Sequence, residues 1–585
     1  MKIKKVIKML IKQGPFAVLR AIRDHYRKKR EEEKFRNRVR SLHLISDGER
    51  ENQKNRKFLA PVSFSIITPL YNTPENYLRE LLESLQKQTY PKWQLCLADG
   101  SDKEHEYVGE ICREYASKDS RICYEVLEEN KGISENTNEC LKFATGDYIG
   151  LLDHDDILHE SALYEMMKVI EEEKADFLYS DEVKFSGKIE DASDFNFKPG
   201  FGKDELRAHN YICHFTVFKK SLLDQIGQAY RPEFDGSQDH DMVLRLTEKA
   251  EKIVHIPKVL YYWRVHPQSV SMNLDSKSYA VDAAIHAVSE QLERTKEPGK
   301  VESNLPYRTI YRVHYEIPDN AGVLLILHGT EKNTEYDRAK EKILEKTTYK
   351  NIRVVYANKE NGTFADNVNK QIDSMKEEYA VMINVHCLPM NPDWVEEMLM
   401  FAQRQDVCAV SPKVYFENNL IAYAGIALDV RDNAKVKFLC QGINGAEQGY
   451  EAMLRHVRNT TAAWKDCCMI SKNAWRNLGG LKEDVPGYEI IDYCLNGEKQ
   501  GLWTVWTCFA EFSYSKALTI EVDDTEIQKF ISKWESREYN FTVRSLNEIC
   551  QKLNLKFNIL FDSLCSETDY RSDGDNVKST KKTQN

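Results

Sequence analysis

The stretch GDYIGLLDHDD, Gly146–Asp156, places the tightest limit on how this chain can fold. Its apolar half, Tyr148–Leu152, reads as a β-strand buried on both faces, which belongs inside a sheet covered on each side. The polar half, Asp153, His154, Asp155 and Asp156, must then emerge at the carboxyl edge, where open α/β sheets bind their ligands. Carboxylates gathered there repel one another unless a cation neutralises them, and Mg²⁺ and Mn²⁺ take oxygen ligands, often shared with a substrate phosphate. The pattern predicts a metal–diphosphate site. A solvated acidic turn before the next helix fits an isolated Asp-x-Asp equally well, so the surrounding chain has to decide.

Strands and helices alternate through the flanking sequence. A buried-type strand, Phe64–Asn72, precedes an amphipathic helix, Asn76–Gln88, with Tyr77, Leu81, Leu82 and Leu85 on one face. A second strand, Gln94–Ala98, ends at Asp99, and a helix over Ser134–Ala144 feeds the acidic stretch. The alternation predicts an α/β, doubly wound and mainly parallel sheet with ligands at its strand ends. Those ends are Thr68–Asn72, Asp99 and Asp153–Asp156.

In this order, TPLYN, QTYPKWQLCLADGSD, NKGIS, GDYIGLLDHDD, YSDE, GSQDHDMVLRL and YYWRVH resemble the family 2 glycosyltransferases, which have the Rossmann-like GT-A fold. The likeness covers about residues 63–272. It implies transfer of a sugar from a nucleotide diphosphate to a hydroxyl with inversion, in a family that often builds bacterial surface polysaccharides. Thr68, Pro69 and Tyr71 would line the base and ribose pocket, and Asp99 would accept the N3–H of a pyrimidine, which suits UDP and dTDP sugars alike. Asp153 would contact the ribose or the metal, Asp155 would ligate Mg²⁺ or Mn²⁺, and His266 would complete the metal shell. Arg264 would meet the diphosphate or stack on an aromatic ring, and Asp181, of the pair Asp181-Glu182 after a short strand Phe177–Ser180, would face the donor sugar.

Inverting transfer also needs a base for the acceptor proton, and Asp239 holds that position. The family's acidic pair is here Gln238-Asp239, a departure that removes a negative neighbour and leaves Asp239 less basic. Asp241 suits the start of the following helix, and Asn210, Tyr211 and His214 would border the acceptor. A second departure is Thr137, where the family often has Arg.

A search for internal repeats finds a second copy. Lys346–Ile352 parallels Lys87–Trp93, Glu378–His386 falls on Asp147–Asp155, and Ile490–Cys494 on Asp239–Val243. The chemistry is replaced site by site: Asp99 becomes Asn358, Asp153 Asn384, Asp155 His386, Asp156 Cys387 and Asp239 Ile490. No histidine follows His456 to stand in for His266. The expectation is a tandem, catalytically silent GT-A-like unit; the alternative rebuilds a site from Glu489, Asp492 and His386.

The resulting division is a basic helical arm and linker over 1–60, a catalytic unit over 61–300, a linker over 301–318, the degenerate unit over 319–520, a helical segment over 521–566 and a disordered tail over 567–585. A length of 585 residues suits at least two cores, and a net charge of −10 excludes a general nucleic-acid binder. Fourteen scattered cysteines without C-x₂-C pairs fit reduced, cytoplasmic thiols. No apolar run approaches the roughly 18–20 residues of a membrane span. The basic amphipathic pattern over residues 1–26 fits peripheral contact with the cytoplasmic membrane face, or docking on the protein itself. A glycan or lipid-linked glycan is then the expected acceptor. Two other functions compete: a non-catalytic nucleotide-sugar or glycan-binding scaffold, and a nucleotidyltransferase, which would need a Gly-rich basic loop that Thr68–Pro74 lacks.

Overall fold

The computed structural model describes residues 40–192, 194–266, 278–330, 332–357, 362–429, 435–516 and 524–534. The arm's residues 1–39, with the membrane contact expected of them, lie outside the described residues, as do Asn358 and residues 535–585.

Nine strands build the first sheet: β1 (Phe64–Leu70), β2 (Trp93–Asp99), β3 (Ile122–Val126), β4 (Tyr148–Leu151), β5 (Ile157–Leu158), β6 (Phe177–Phe185), β7 (Asp194–Asn196), β8 (Thr216–Lys219) and β9 (Ile253–Arg264). Their order is β3-β2-β1-β4-β8-β6-β9-β5, with β7 on β6. β5, β7 and β8 run against the rest, so the sheet is mainly parallel. β1 and β4 are buried almost throughout, as continuous apolar strands in a covered sheet must be. The helix Glu75–Gln86 turns Leu78, Leu81, Leu82 and Leu85 onto the sheet.

A hairpin, β10 (Gly299–Asn304) with β11 (Tyr307–Tyr315), occupies much of the stretch expected as a linker. Beyond it come β12 (Val323–His328), β13 (Ile352–Tyr356), β14 (Tyr379–Asn384), β15 (Cys387–Pro389), β16 (Val407–Phe416), β17 (Ile421–Tyr423), the separate pair β18 (Ile426–Asp429) and β19 (Lys435–Phe438), then β20 (Arg458–Asn459), β21 (Cys467–Ser471) and β22 (Trp503–Tyr514). The second sheet runs β13-β12-β14-β21-β16-β22-β15. With β3 removed, the first sheet has the same order element for element. The registers agree as well: Phe64 pairs with Trp93 and Tyr148, and Val323 with Ile352 and Tyr379. The two units are tandem GT-A-like sheets.

Residues 40–60, expected to be a linker, instead pack on the first unit. A helix over Asp47–Asn55 is capped by Ser46, whose Oγ accepts the Glu49 N–H. Its Gln53 is buried and accepts the Thr89 hydroxyl at 2.8 Å, and Arg50 pairs with Glu160. At the other end, the helix Asp524–Trp534 stacks Phe530 on Tyr488, ring centroids 4.2 Å apart. The units meet along a polar seam, where Asp204 pairs with Arg404 in the interior, Lys203 with Asp406 at 2.9 Å, and the Tyr450 hydroxyl accepts the Phe197 N–H at 2.8 Å. Among the described residues no helix is long and apolar enough to cross a membrane.

Candidate active site

β4 delivers the acidic turn to the carboxyl edge, and β5 folds that turn back against the end of β9, Ile157 pairing with Tyr262. Asp156 locks the fold-back. It is buried and accepts the Tyr261 hydroxyl and the Arg264 N–H, both at 2.6 Å. Burial and the neighbouring carboxylates of Asp155 and Asp153 push Asp156 well above its usual value. His154 turns to the Thr73 hydroxyl, 2.5 Å away. That leaves Asp153 and Asp155 facing the cleft.

Each of these acids meets a histidine. Asp155 Oδ2 lies 2.8 Å from His266 Nε2, so the structure joins two of the three expected metal ligands. Asp153, with its side chain 56% exposed, lies 3.4 Å from His214 Nε2. Among the described residues, the group of three able to share one ion is Asp153, Asp156 and His214, with ligand atoms within 4.8 Å of one another; Asp155 and His266 stand beside it as a pair. Carboxylate oxygens with imidazole nitrogen suit Mg²⁺ or Mn²⁺. The donor set therefore fits a divalent cation, although both Asp156 oxygens are already engaged.

Behind His214 runs a line of charge that motif reading missed. Its Nδ1 lies 3.2 Å from Glu182 Oε2, and Glu182 pairs with Lys198 Nζ at 3.0 Å, both residues being sealed from solvent. The imidazole stacks on Tyr261, centroids 4.6 Å apart. Burial opposes a proton on His214, but the hydrogen bonds and charges of Asp153 and Glu182 overcome it and raise His214 well above its usual value. Lys198 and His214 in turn reverse the effect of burial on Glu182, whose carboxyl falls to about 2.

Asp181 and Glu182 lie within β6, which runs on to Phe185 rather than ending at Ser180. Asp181 is buried, its Oδ1 accepting the Lys198 N–H and His255 Nε2, both at 2.9 Å, so the structure does not bring it to the cleft surface. Arg264 is likewise enclosed, between Tyr77 at 4.2 Å and Phe185 at 4.5 Å, with Nε donating to the Asp155 carbonyl. It shapes the turn by stacking, one of its two expected roles.

At the ends of β1 and β2 the expected nucleotide residues are close together. Asp99 accepts the Tyr124 hydroxyl at 2.7 Å and the Ser101 N–H at 2.9 Å. Thr68 is fully buried with its hydroxyl unpartnered, Pro69 is half-buried, and Tyr71 is 47% exposed. Asn72, at φ 49°, turns the chain and donates its N–H to Ser101, tying the two loops together.

Asp239 is the second residue of the helix Gln238–Thr247 and accepts Asn210 Nδ2 at 2.9 Å. Cys213 and Tyr230 each sense the charges of both Asp239 and Asp153; burial and those charges push both groups well above their usual values. Both acids thus lie within electrostatic reach of Cys213 and Tyr230. Asp241 is buried between Arg231 and Arg245, an anchor for the helix. Tyr211 is buried as well, its hydroxyl accepting the Gly202 N–H.

In the second unit Asn384 accepts the His386 N–H at 3.1 Å, and Ile490 is buried. Asp492, the counterpart of Asp241, is buried and held by Lys533 and Trp534, each at 2.9 Å.

Comparison with known proteins agrees with this geometry. The family model described as glycosyl transferase family 2 matches residues 65–227. An uncharacterized protein of Sinorhizobium fredii is 30% identical over 81% of this chain and 56% of its own length. An O-antigen biosynthesis protein of Myxococcus xanthus is 27% identical over 78% of this chain and 38% of its own length, so the chain spans about half or less of these two relatives. An uncharacterized glycosyltransferase of Methanocaldococcus jannaschii is 31% identical over 34% of this chain and 70% of its own length. With the acids of β4, the strand order and the matched segment in agreement, the chain belongs to glycosyltransferase family 2.

Proposed function

We propose that the first unit is an inverting glycosyltransferase that moves a sugar from a UDP or dTDP donor to a hydroxyl of a growing, lipid-linked glycan in cell-surface polysaccharide synthesis. The observation that carries this reading is the pairing of Asp155 with His266 at the end of β4, beside the exposed Asp153. The name of the Myxococcus xanthus relative supports the polysaccharide setting. Asp99 and the loop around Tyr71 would hold the nucleotide. Asp153, Asp155 and His266 would hold Mg²⁺ or Mn²⁺, which when bound offsets the charge growing on the leaving diphosphate.

Asp239 takes the proton from the acceptor hydroxyl as its oxygen bonds to the anomeric carbon. The bond from that carbon to the diphosphate breaks on the opposite face, and the nucleoside diphosphate leaves. The Asn210 amide, donating to Asp239, holds the carboxylate in position. The second unit, with Ile490 and Asn384 at the matching places, serves acceptor binding or assembly, and the buried, paired Asp492 is unsuited to rebuilding a base there. Peripheral membrane contact through residues 1–26 belongs to the same proposal.

The test is slow donor hydrolysis by the full chain with UDP and dTDP sugars and Mn²⁺ or Mg²⁺. A chelator should abolish it and added Mn²⁺ restore it. Turnover that survives the chelator would refute the cation's role, and thermal stabilisation by a GDP sugar alone would refute the pyrimidine donor.

A further inference from the structure

Between the two units lies a cavity of about 740 Å³, within the roughly 300–1,000 Å³ typical of ligand sites. One wall is the Asn196–Gly202 stretch with the start of β9; the other comes from β18, β20 and β22 of the second unit. None of Asp153, Asp155, Asp239 or His266 lines it. The seam holds the walls in place: Asn459 receives the Asp204 N–H at 2.9 Å and packs so tightly on Gly202 that a Cβ there would meet its Oδ1 at 2.9 Å.

The chemistry of the lining selects among ligand classes. Its three cations are all engaged: Lys198 with Glu182, Lys252 with Glu173, and Arg458 with the carbonyls of Met453 and Ala424. Five glutamates line the cavity against these three cations, and this acidic balance disfavours a phosphate or a nucleotide. An acyl chain would bury Glu205, His209 and His456 against hydrocarbon, at a cost of several kcal/mol in unmet polar groups. Partly exposed Phe201 and Trp503, one from each unit, meet edge to face at 6.0 Å and offer apolar surface. His456 is buried, with Nε2 facing Glu205 at 3.5 Å and Nδ1 unpartnered. Aromatic surface beside hydrogen-bonding side chains suits a molecule with hydroxyls on its edge and C–H groups on its faces.

We propose that this cavity binds an uncharged oligosaccharide stretch of the glycan being extended, separately from the transfer cleft. The identity of that glycan rests on the proposed function, whereas saccharide binding itself does not. The probe is an array of short neutral and uronic-acid-bearing oligosaccharides, read with the labelled full chain in the absence of donor. Two variants act in opposite ways: Ala250→Trp fills the cavity from a partly exposed position, and Trp503→Ala removes an aromatic wall. Wild type should bind neutral oligosaccharides, and each variant should weaken binding by about tenfold or more, equivalent to about 1.4 kcal/mol, while donor hydrolysis stays unchanged. Absence of binding to any neutral oligosaccharide, binding that both variants retain, or loss of nucleotide binding in Ala250→Trp would each overturn the proposal. Saccharide binding lost in the variants of a chain that never hydrolyses donor would sustain the cavity and sink the glycosyltransferase reading alone.

Discussion

Glu182→Gln isolates the charge line behind the cleft. Glu182 and Lys198 are 1% and 0% exposed and 3.0 Å apart. Removing one member of such a pair leaves the other charge buried, which costs about 3–5 kcal/mol. Lys198 keeps the carbonyls of Ile212 and His214, which points to the lower end of that range. A second route gives the same size. Burial alone would raise the Glu182 carboxyl, but the charge of Lys198 and the hydrogen bond of His214 bring it from 4.5 to about 2. At about 1.4 kcal/mol per tenfold in proton affinity, that is about 3 kcal/mol, present above pH 4.5 and lost as pH falls toward 2. Calorimetry of the full chain at neutral pH should show the first unit melting about 6–12 °C lower. Glu182→Gln/Lys198→Met, with neither member of the pair left charged, should recover most of the loss. A single variant that melts within about 2 °C of wild type, or a double variant worse than the single, would refute the argument.

Asp239→Asn should lower transfer by about a hundredfold or more while nucleotide binding, followed by calorimetric titration, stays near normal; full turnover would move the base elsewhere. His386→Ala should leave turnover within about twofold of wild type, since its counterpart chemistry is missing from the second unit, and a large loss would return that unit to the mechanism. His43 is held down to about 4, chiefly by burial and then by His159, whereas the unfolded chain takes that proton near 6.5. Its contribution is therefore complete above pH 6.5 and lost as pH falls toward 4. His43→Phe should flatten the pH dependence of the urea midpoint between those values; an unchanged slope would count against it.

Local pattern carried the frame of the molecule. The apolar run before Asp153 marks an interior strand, and the offset that puts Tyr148 on Tyr379 survives as an exact match in sheet register. The pairing of Asp155 with His266 followed from motif order, although 111 residues separate them. The metal-capable group around His214 did not, because Asp156 looks like a third surface acid until β5 folds it against Tyr261 and Arg264. Lys198 has no sequence signal: its meaning comes from Glu182, on β6, and from carbonyls that only the fold brings near. The apolar pattern ends β6 at Ser180 because two acids interrupt it, and their partners His255 and Lys198 lie outside that strand. Residues 40–60 look like a charged spacer for a similar reason, since Gln53 and Arg50 are satisfied only by Thr89 and Glu160.

The interior ion pair of Asp204 with Arg404 constrains how substrates can arrive. Opening a hinge would return both charges to water, so the pair governs the angle at which the two sheets meet more than the energy of parting them. Substrates therefore meet two sheets set at one angle, across which the proposed acceptor chain would be drawn.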